Sequence, residues 1–194
     1  MAKIVLPDGK VLEAQDGVTA GEVAQKIGAG LAKAALAARI DGNLVDLATP
    51  LAGEVGLEIV TGKDKDGVDI LRHSGAHIMA QAIKSLWPAA KLVYGPTVQE
   101  GFYYDIDLET PIRPEDFAKI EAAMGDIVKA DVPIKRIELS RADALKRVDG
   151  DRYKADNINR AQGEVMSFYA QGDGFEDLCR GPHVRVLVRS GRLR

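Results

Sequence analysis

The segment KIVLPDGKVLEA, residues 3 to 14, constrains the fold before anything else does. Two short runs of alternating apolar and polar residues flank Pro7-Asp8-Gly9, where glycine supplies the positive φ that a tight antiparallel turn demands. The chain therefore opens as a β-hairpin. Thr19 follows, with Glu22 three residues on; a hydroxyl and a carboxylate at that spacing cap a helix N-terminus reciprocally. Val23, Ala24 and Ile27 supply that helix with an apolar stripe, and Gly28 can stop it. LAKAALAARI then runs into IDGNLVDL and GLEIVT, two further strand-like segments, the first with an Asp-Gly turn at Asp41-Gly42. Hairpin, helix and more short strands make a small α+β unit, a sheet covered on one face by a helix.

Residues 62 to 69, GKDKDGVD, are polar and bracketed by glycine, and 63–68 read as a linker between two domains. From Asp69 to Trp87 the apolar spacing is helical, and Pro88 stops it. KLVYGP is followed by GFYYDIDL, which alternates like a strand. PEDFAKIEAAMGDIVKA starts with proline, carries acids in its first turn, and places Phe117, Ile120, Met124 and Ile127 at helical spacing. IKRIEL reads as a strand, SRADALKRV as a short capped helix and EVMSFYA as another strand. The end, VRVLVRSGRLR, reads as a strand, a turn and the start of a strand, as in a piece of a longer protein.

With 194 residues, 46% of them hydrophobic and 28% charged, the chain can bury a core in each of two domains. No apolar run approaches the ~20 residues of a membrane span, and the start lacks a signal peptide's apolar core, so a cytoplasmic protein without membrane partners is expected. The net charge of −3 hides a gradient: residues 129–194 carry 14 basic against 10 acidic side chains, the reverse of the earlier balance. That end can meet a phosphate-bearing partner or present an ordinary mixed surface.

All three histidines and the single cysteine fall into two motifs, His73-x3-His77 and Cys179-x3-His183. Two chemistries compete for them. Four nitrogen and sulfur donors suit tetrahedral zinc. A metal-free hydrolytic pocket is the other reading, with a histidine or a positioned water as base. A P-loop, a dinucleotide fingerprint and the HExxH helix are all missing. Glu176 and Asp177 ahead of Cys179 disfavour a nucleophilic thiolate.

RHSGAH, GFYYDID, RYKADNI and DLCRGPH, in this order behind a small hairpin-helix-strand domain, resemble the amino-terminal half of bacterial threonyl-tRNA synthetases over essentially the whole chain. The resemblance implies a ubiquitin-like β-grasp TGS domain at 1–62. It also implies a larger α+β editing domain at 69–194, truncated at its carboxy-terminal end, with an antiparallel sheet and a histidine-bearing helix. HxxxH with CxxxH also marks alanyl-type editing proteins, which leaves a zinc-dependent trans-editing protein and a non-catalytic RNA-binding module as alternatives.

What the resemblance implies for function is proofreading hydrolysis of seryl-tRNA at the mischarged 3′ end. Aminoacylation, with its ATP and zinc sites, and the parent enzyme's homodimer contacts would belong to domains beyond this chain. The implied site places His73 near the ribose hydroxyls and Lys154 near the attacking water. His77 shares the pocket helix with His73; Asp177, Cys179 and His183 complete the rim, His77 and His183 positioning groups and Asp177 binding the substrate's ammonium. Tyr103 and Tyr104 alternate along a strand, so one packs in the core while the other, Tyr104, faces the substrate. No cofactor is required; zinc, if bound, would be held by His73, His77, Cys179 and His183.

Overall fold

The computed structural model describes residues 1–184. The strand-turn-strand reading of the end and Arg185, Arg189, Arg192 and Arg194 therefore lie outside the described residues. The chain divides into two compact units, Met1–Ser74 together with the segment from Gly181, and Gly75–Arg180.

The first unit contains β1 (Ala2–Val5), β2 (Val11–Ala14), α1 (Ala20–Ile27), α2 (Ala29–Ala34), β3 (Ala35–Ile40), β4 (Asn43–Val45) and β5 (Glu54–Thr61). The expected hairpin pairs β1 with β2, Ile4 opposite Leu12, with Gly9 at φ 81°. β1 also pairs in parallel with β5, and β3 runs antiparallel to both β4 and β5. The result is a five-stranded sheet of order β2-β1-β5-β3-β4. α1 covers one face, Ala20 and Val23 packing with Ile4, Ala38 and Leu57, while Leu47 and Leu51 close the core from the connecting loop. Burying a side chain such as Leu57 contributes about 1.5–3 kcal/mol. The capping box forms as expected: the Glu22 N–H donates to the Thr19 hydroxyl at 3.2 Å, and the Thr19 N–H to the Glu22 carboxylate at 2.8 Å.

LAKAALAARI divides into α2 and β3: its alanines favour a helix by themselves, and pairing with β5 recruits the second half into the sheet. Asp41-Gly42 is the turn between β3 and β4, both residues at positive φ, as a two-residue hairpin loop requires. The polar stretch 63–68 is not an open linker throughout: α3 (Lys65–Leu86) starts inside it. Its polar residues act as caps and tethers. The Asp64 carboxylate accepts the Thr61 N–H at 2.7 Å and the Thr61 hydroxyl at 3.0 Å. Arg39 on β3 donates to Glu58 at 2.9 Å and to Asp66 in the first turn of α3. A β-carbon at Gly67 would lie 2.7 Å from the Thr61 carbonyl carbon, closer than side chains tolerate.

The second unit adds β6 (Lys91–Tyr94), β7 (Thr97–Val98), β8 (Gly101–Phe102) and β9 (Asp105–Asp107). GFYYDIDL is thus two short strands interrupted at Tyr103-Tyr104: β8 pairs with β7, and β9 with β6. α4 (Phe117–Ala130) follows a 3-10 turn at Pro114–Asp116. Its Ile120 packs with Ala82 and Ile83 of α3 and with Ala90, and Met124 and Ile127 flank that contact. Phe117, expected in the same stripe, stands 55% exposed. It shares the face of Ile120 and Met124 but stands at the first helical position, at the end of the stripe.

β10 (Ile134–Ser140), α5 (Arg141–Arg147), α6 (Arg152–Arg160), β11 (Val165–Gln171) and β12 (Phe175–Leu178) complete the described chain. The three strands form an antiparallel sheet of order β10-β11-β12. Ala144 of α5 and Ile158 of α6 pack on Met166 and Phe168 of β11. α6, formed by RYKADNINR, carries too few apolar residues to announce itself by periodicity. It is capped by Asp151, whose side chain accepts the N–H groups of Tyr153 and Lys154 at 3.0 and 3.1 Å. Mixed helices and strands with antiparallel sheets make this an α+β protein. Among the described residues no helix is long and apolar enough to cross a membrane.

Candidate functional site

In the first unit, α3 presents His73 and the segment from Gly181 brings His183 against it. Their ring centroids lie 4.6 Å apart with planes tilted by 38°. Asp46 holds this segment, its Oδ1 accepting the His183 backbone N–H at 2.9 Å. Ser74, next to His73 on the helix, has no exposed surface; its hydroxyl accepts the Val184 N–H at 3.1 Å and lies 3.4 Å from His183 Nδ1. A buried hydroxyl that satisfies an incoming backbone group is what lets a loop dock on a helix without leaving a polar group stranded. Nothing in the sequence singled out Ser74 or Asp46. Their one signal is placement, Ser74 lying inside the HxxxH motif.

In the second unit three residues from three separate motifs meet. Lys154 on α6 places Nζ 2.5 Å from Asp177 Oδ1 on β12, and the Tyr104 hydroxyl donates to Asp177 Oδ2 at 2.7 Å. Lys154 and Asp177 are both buried, 8% and 6% exposed. Such burial is tolerable because the opposite charges meet and each carboxylate oxygen has a donor. Both oxygens keep a second lone pair, so the carboxylate has capacity for up to two further donors. Burial pushes the Tyr104 phenol well above its ordinary range, and the Asp177 charge and hydrogen bond push the same way, so Tyr104 stays a proton donor.

The elements that carry these groups are pinned by polar contacts. Asn157 of α6 donates to the Val93 carbonyl at 3.0 Å, and the Tyr153 hydroxyl to Asp107 at 2.8 Å, which fixes α6 against β6 and β9. Arg147 meets Glu176, beside Asp177, with two bonds of 2.5 and 2.6 Å. Lys154 and Asp177 line a cleft of about 260 Å³ in this unit, with Lys84, Leu92, Arg147 and Phe175 among its other walls.

His77 and Cys179 also belong to the second unit. His77 is 5% exposed and sets its ring edge-on to Phe175, centroids 4.9 Å apart. Cys179 continues the pairing of β12: its N–H donates to the Ser167 carbonyl at 3.0 Å, and the Ser167 hydroxyl donates to the Cys179 carbonyl at 2.5 Å. Of the two tyrosines, Tyr104 turns inward and Tyr103 stands exposed.

A five-stranded mixed sheet of this order with one helix across it defines a β-grasp class of domain, and residues 2–61 match the TGS domain family. Over almost its whole length the chain is also similar to threonine–tRNA ligases. It is 49% identical to that of Citrifermentans bemidjiense over 93% of the chain and 49% identical to that of Laribacter hongkongensis over 95%. The ligase of Thiobacillus denitrificans is 47% identical over 100% of the chain. The aligned part is only 29–30% of each ligase, so the chain spans under a third of the length of the curated relatives it matches. It is homologous to the amino-terminal part of threonyl-tRNA synthetase.

Proposed function

We propose that this chain proofreads: it hydrolyses the ester that joins serine to a threonine-accepting tRNA, in the cytoplasm, without metal. The observation that carries the reading is the buried Lys154–Asp177–Tyr104 network, three residues named by separate motifs and brought within hydrogen-bond distance by the fold. Its relatives' names supply the substrate, since a ligase that charges tRNA with threonine must deal with serine. The two amino acids differ by one methyl group, which a binding pocket distinguishes by only roughly 10- to 200-fold. A second, hydrolytic site removes the error after attachment.

In this reading water attacks the ester carbonyl, the bond to the ribose oxygen breaks, and that oxygen leaves with a proton. Lys154 supplies positive charge and a donor where negative charge develops. Asp177 holds the ammonium in place, and Tyr104 holds Asp177. His77, in the same unit, positions groups around the ester.

The test compares the seryl and threonyl esters of the same tRNA. The seryl ester should be consumed and the threonyl ester spared, with activity lost in Lys154→Ala and His73→Ala. Equal, protein-independent loss of both esters would sink the reading. Salt-sensitive RNA binding with no hydrolysis would instead mark a binding module, and preference for an alanine-accepting tRNA would mark an alanyl-type protein. Stoichiometric zinc in untagged protein, lost on Cys179→Ala, would overturn the metal-free account.

A further inference from the structure

Gly95 lies between β6 and β7, directly before Pro96. Its φ is outside the left-handed region, so backbone freedom does not explain a glycine there. Space does. A β-carbon at Gly95 would fall against the Tyr104 ring, 2.9 Å from Cγ and closer still to Cδ2 and Cε2. The ring occupies the volume that any other residue would fill with its own side chain.

The consequence runs along a chain of contacts already given. The ring's position sets the hydroxyl that donates to Asp177 Oδ2 at 2.7 Å, and Asp177 Oδ1 meets Lys154 Nζ at 2.5 Å. Hydrogen bonds weaken steeply once distance or angle departs from the optimum, so displacing the ring by an ångström would release that carboxylate oxygen. We propose that Gly95 is a positioning residue of this site: it admits the Tyr104 ring and so orients Asp177 and, through it, the Lys154 ammonium. The catalytic part of this inference rests on the ester-hydrolysis reading; the positional part rests on the contacts alone.

The experiment places Gly95→Ala in the full chain. With seryl-tRNA as substrate, kcat should fall on the order of 100-fold, as for an ångström of misplacement, while KM changes by less than about threefold. Because Gly95 acts through the Tyr104 hydroxyl, adding Gly95→Ala to Tyr104→Phe should lower kcat by no more than about twofold further. Full additivity of the two would overturn the proposal. A second readout needs no activity: the Lys154 side-chain ammonium, followed by nitrogen-15 spectroscopy, should be protected from solvent exchange in the parent protein and lose protection in Gly95→Ala. Protection lost without hydrolysis in the parent protein upholds the positioning role and removes the hydrolysis reading. Unchanged protection and unchanged kcat in Gly95→Ala overturn the positioning role. If Gly95→Ala lowers the unfolding midpoint, adding it to Tyr104→Ala, which vacates the ring's space, should lower the midpoint no further than Tyr104→Ala alone; a further drop also overturns the proposal.

Discussion

Asp177 is the residue on which the second unit's polar interior turns. Lys154 and Tyr104 each satisfy one of its oxygens, and neither is near it in sequence, Tyr104 being 73 positions away. Replacing Lys154 by methionine leaves a buried carboxylate without its counter-charge, a loss of about 3–5 kcal/mol that urea unfolding would register. Removing both charges, as in Lys154→Met with Asp177→Leu, should cost less than Lys154→Met alone. The pair would then be worth less to stability than its burial suggests. Tyr104→Phe deletes a hydrogen bond to a charged group, worth about 1.5–3 kcal/mol, whereas Tyr103→Phe on the exposed neighbour should leave stability within about 0.5 kcal/mol. The motifs GFYYDID, RYKADNI and DLCRGPH already pointed to these residues. That two of them share one carboxylate was not legible, because no local pattern encodes a contact between chain-distant side chains.

Among the elements, α6 shows how a weakly patterned segment becomes a helix. Asp151 caps its start, and Arg141, from α5, closes its end by donating to the carbonyls of Ile158, Ala161 and Gly163, the bond to Ala161 measuring 2.8 Å. A guanidinium there satisfies carbonyls that the last helical turn leaves open. Arg141→Met should therefore destabilise the protein by about 1–3 kcal/mol and, because α6 carries Lys154, lower seryl-ester hydrolysis as well; thermal unfolding and the deacylation assay read the two effects. α1 behaves as a local signal predicts. Thr19→Ala should cost about 1 kcal/mol, and Glu22→Ala less, since Thr19 keeps its own bond to the helix. α3 falls between these cases: its apolar spacing was readable from Asp69, but its first turn depends on Asp64, Arg39 and the close packing of Gly67, all contacts with the preceding sheet.

For the whole molecule, Tyr104 links the candidate site to alkaline stability. Its phenol ionises at a higher pH in the folded than in the unfolded chain, where the ordinary value is 10.0. The sign follows: that contribution is fully present below pH 10 and is lost as pH rises beyond it, because the unfolded state then releases a proton that the folded state retains. The parent protein should thus lose stability above about pH 10 more steeply than Tyr104→Phe, measured by denaturant midpoints across that range. The sequence by itself determined the hairpin at Pro7-Asp8-Gly9, the Thr19–Glu22 cap, the helical character of 69–87 and the grouping of every histidine and cysteine into two motifs. Each of these depends on residues at most a few positions apart, where φ preference, capping and helical period act directly. Only the tertiary structure decided that LAKAALAARI would divide between helix and strand, that the polar stretch 63–68 would open α3, that Phe117 would stay outside the core and that Tyr104 would turn inward over Gly95. Those outcomes depend on which surfaces bury one another, and burial is settled between segments far apart in the chain.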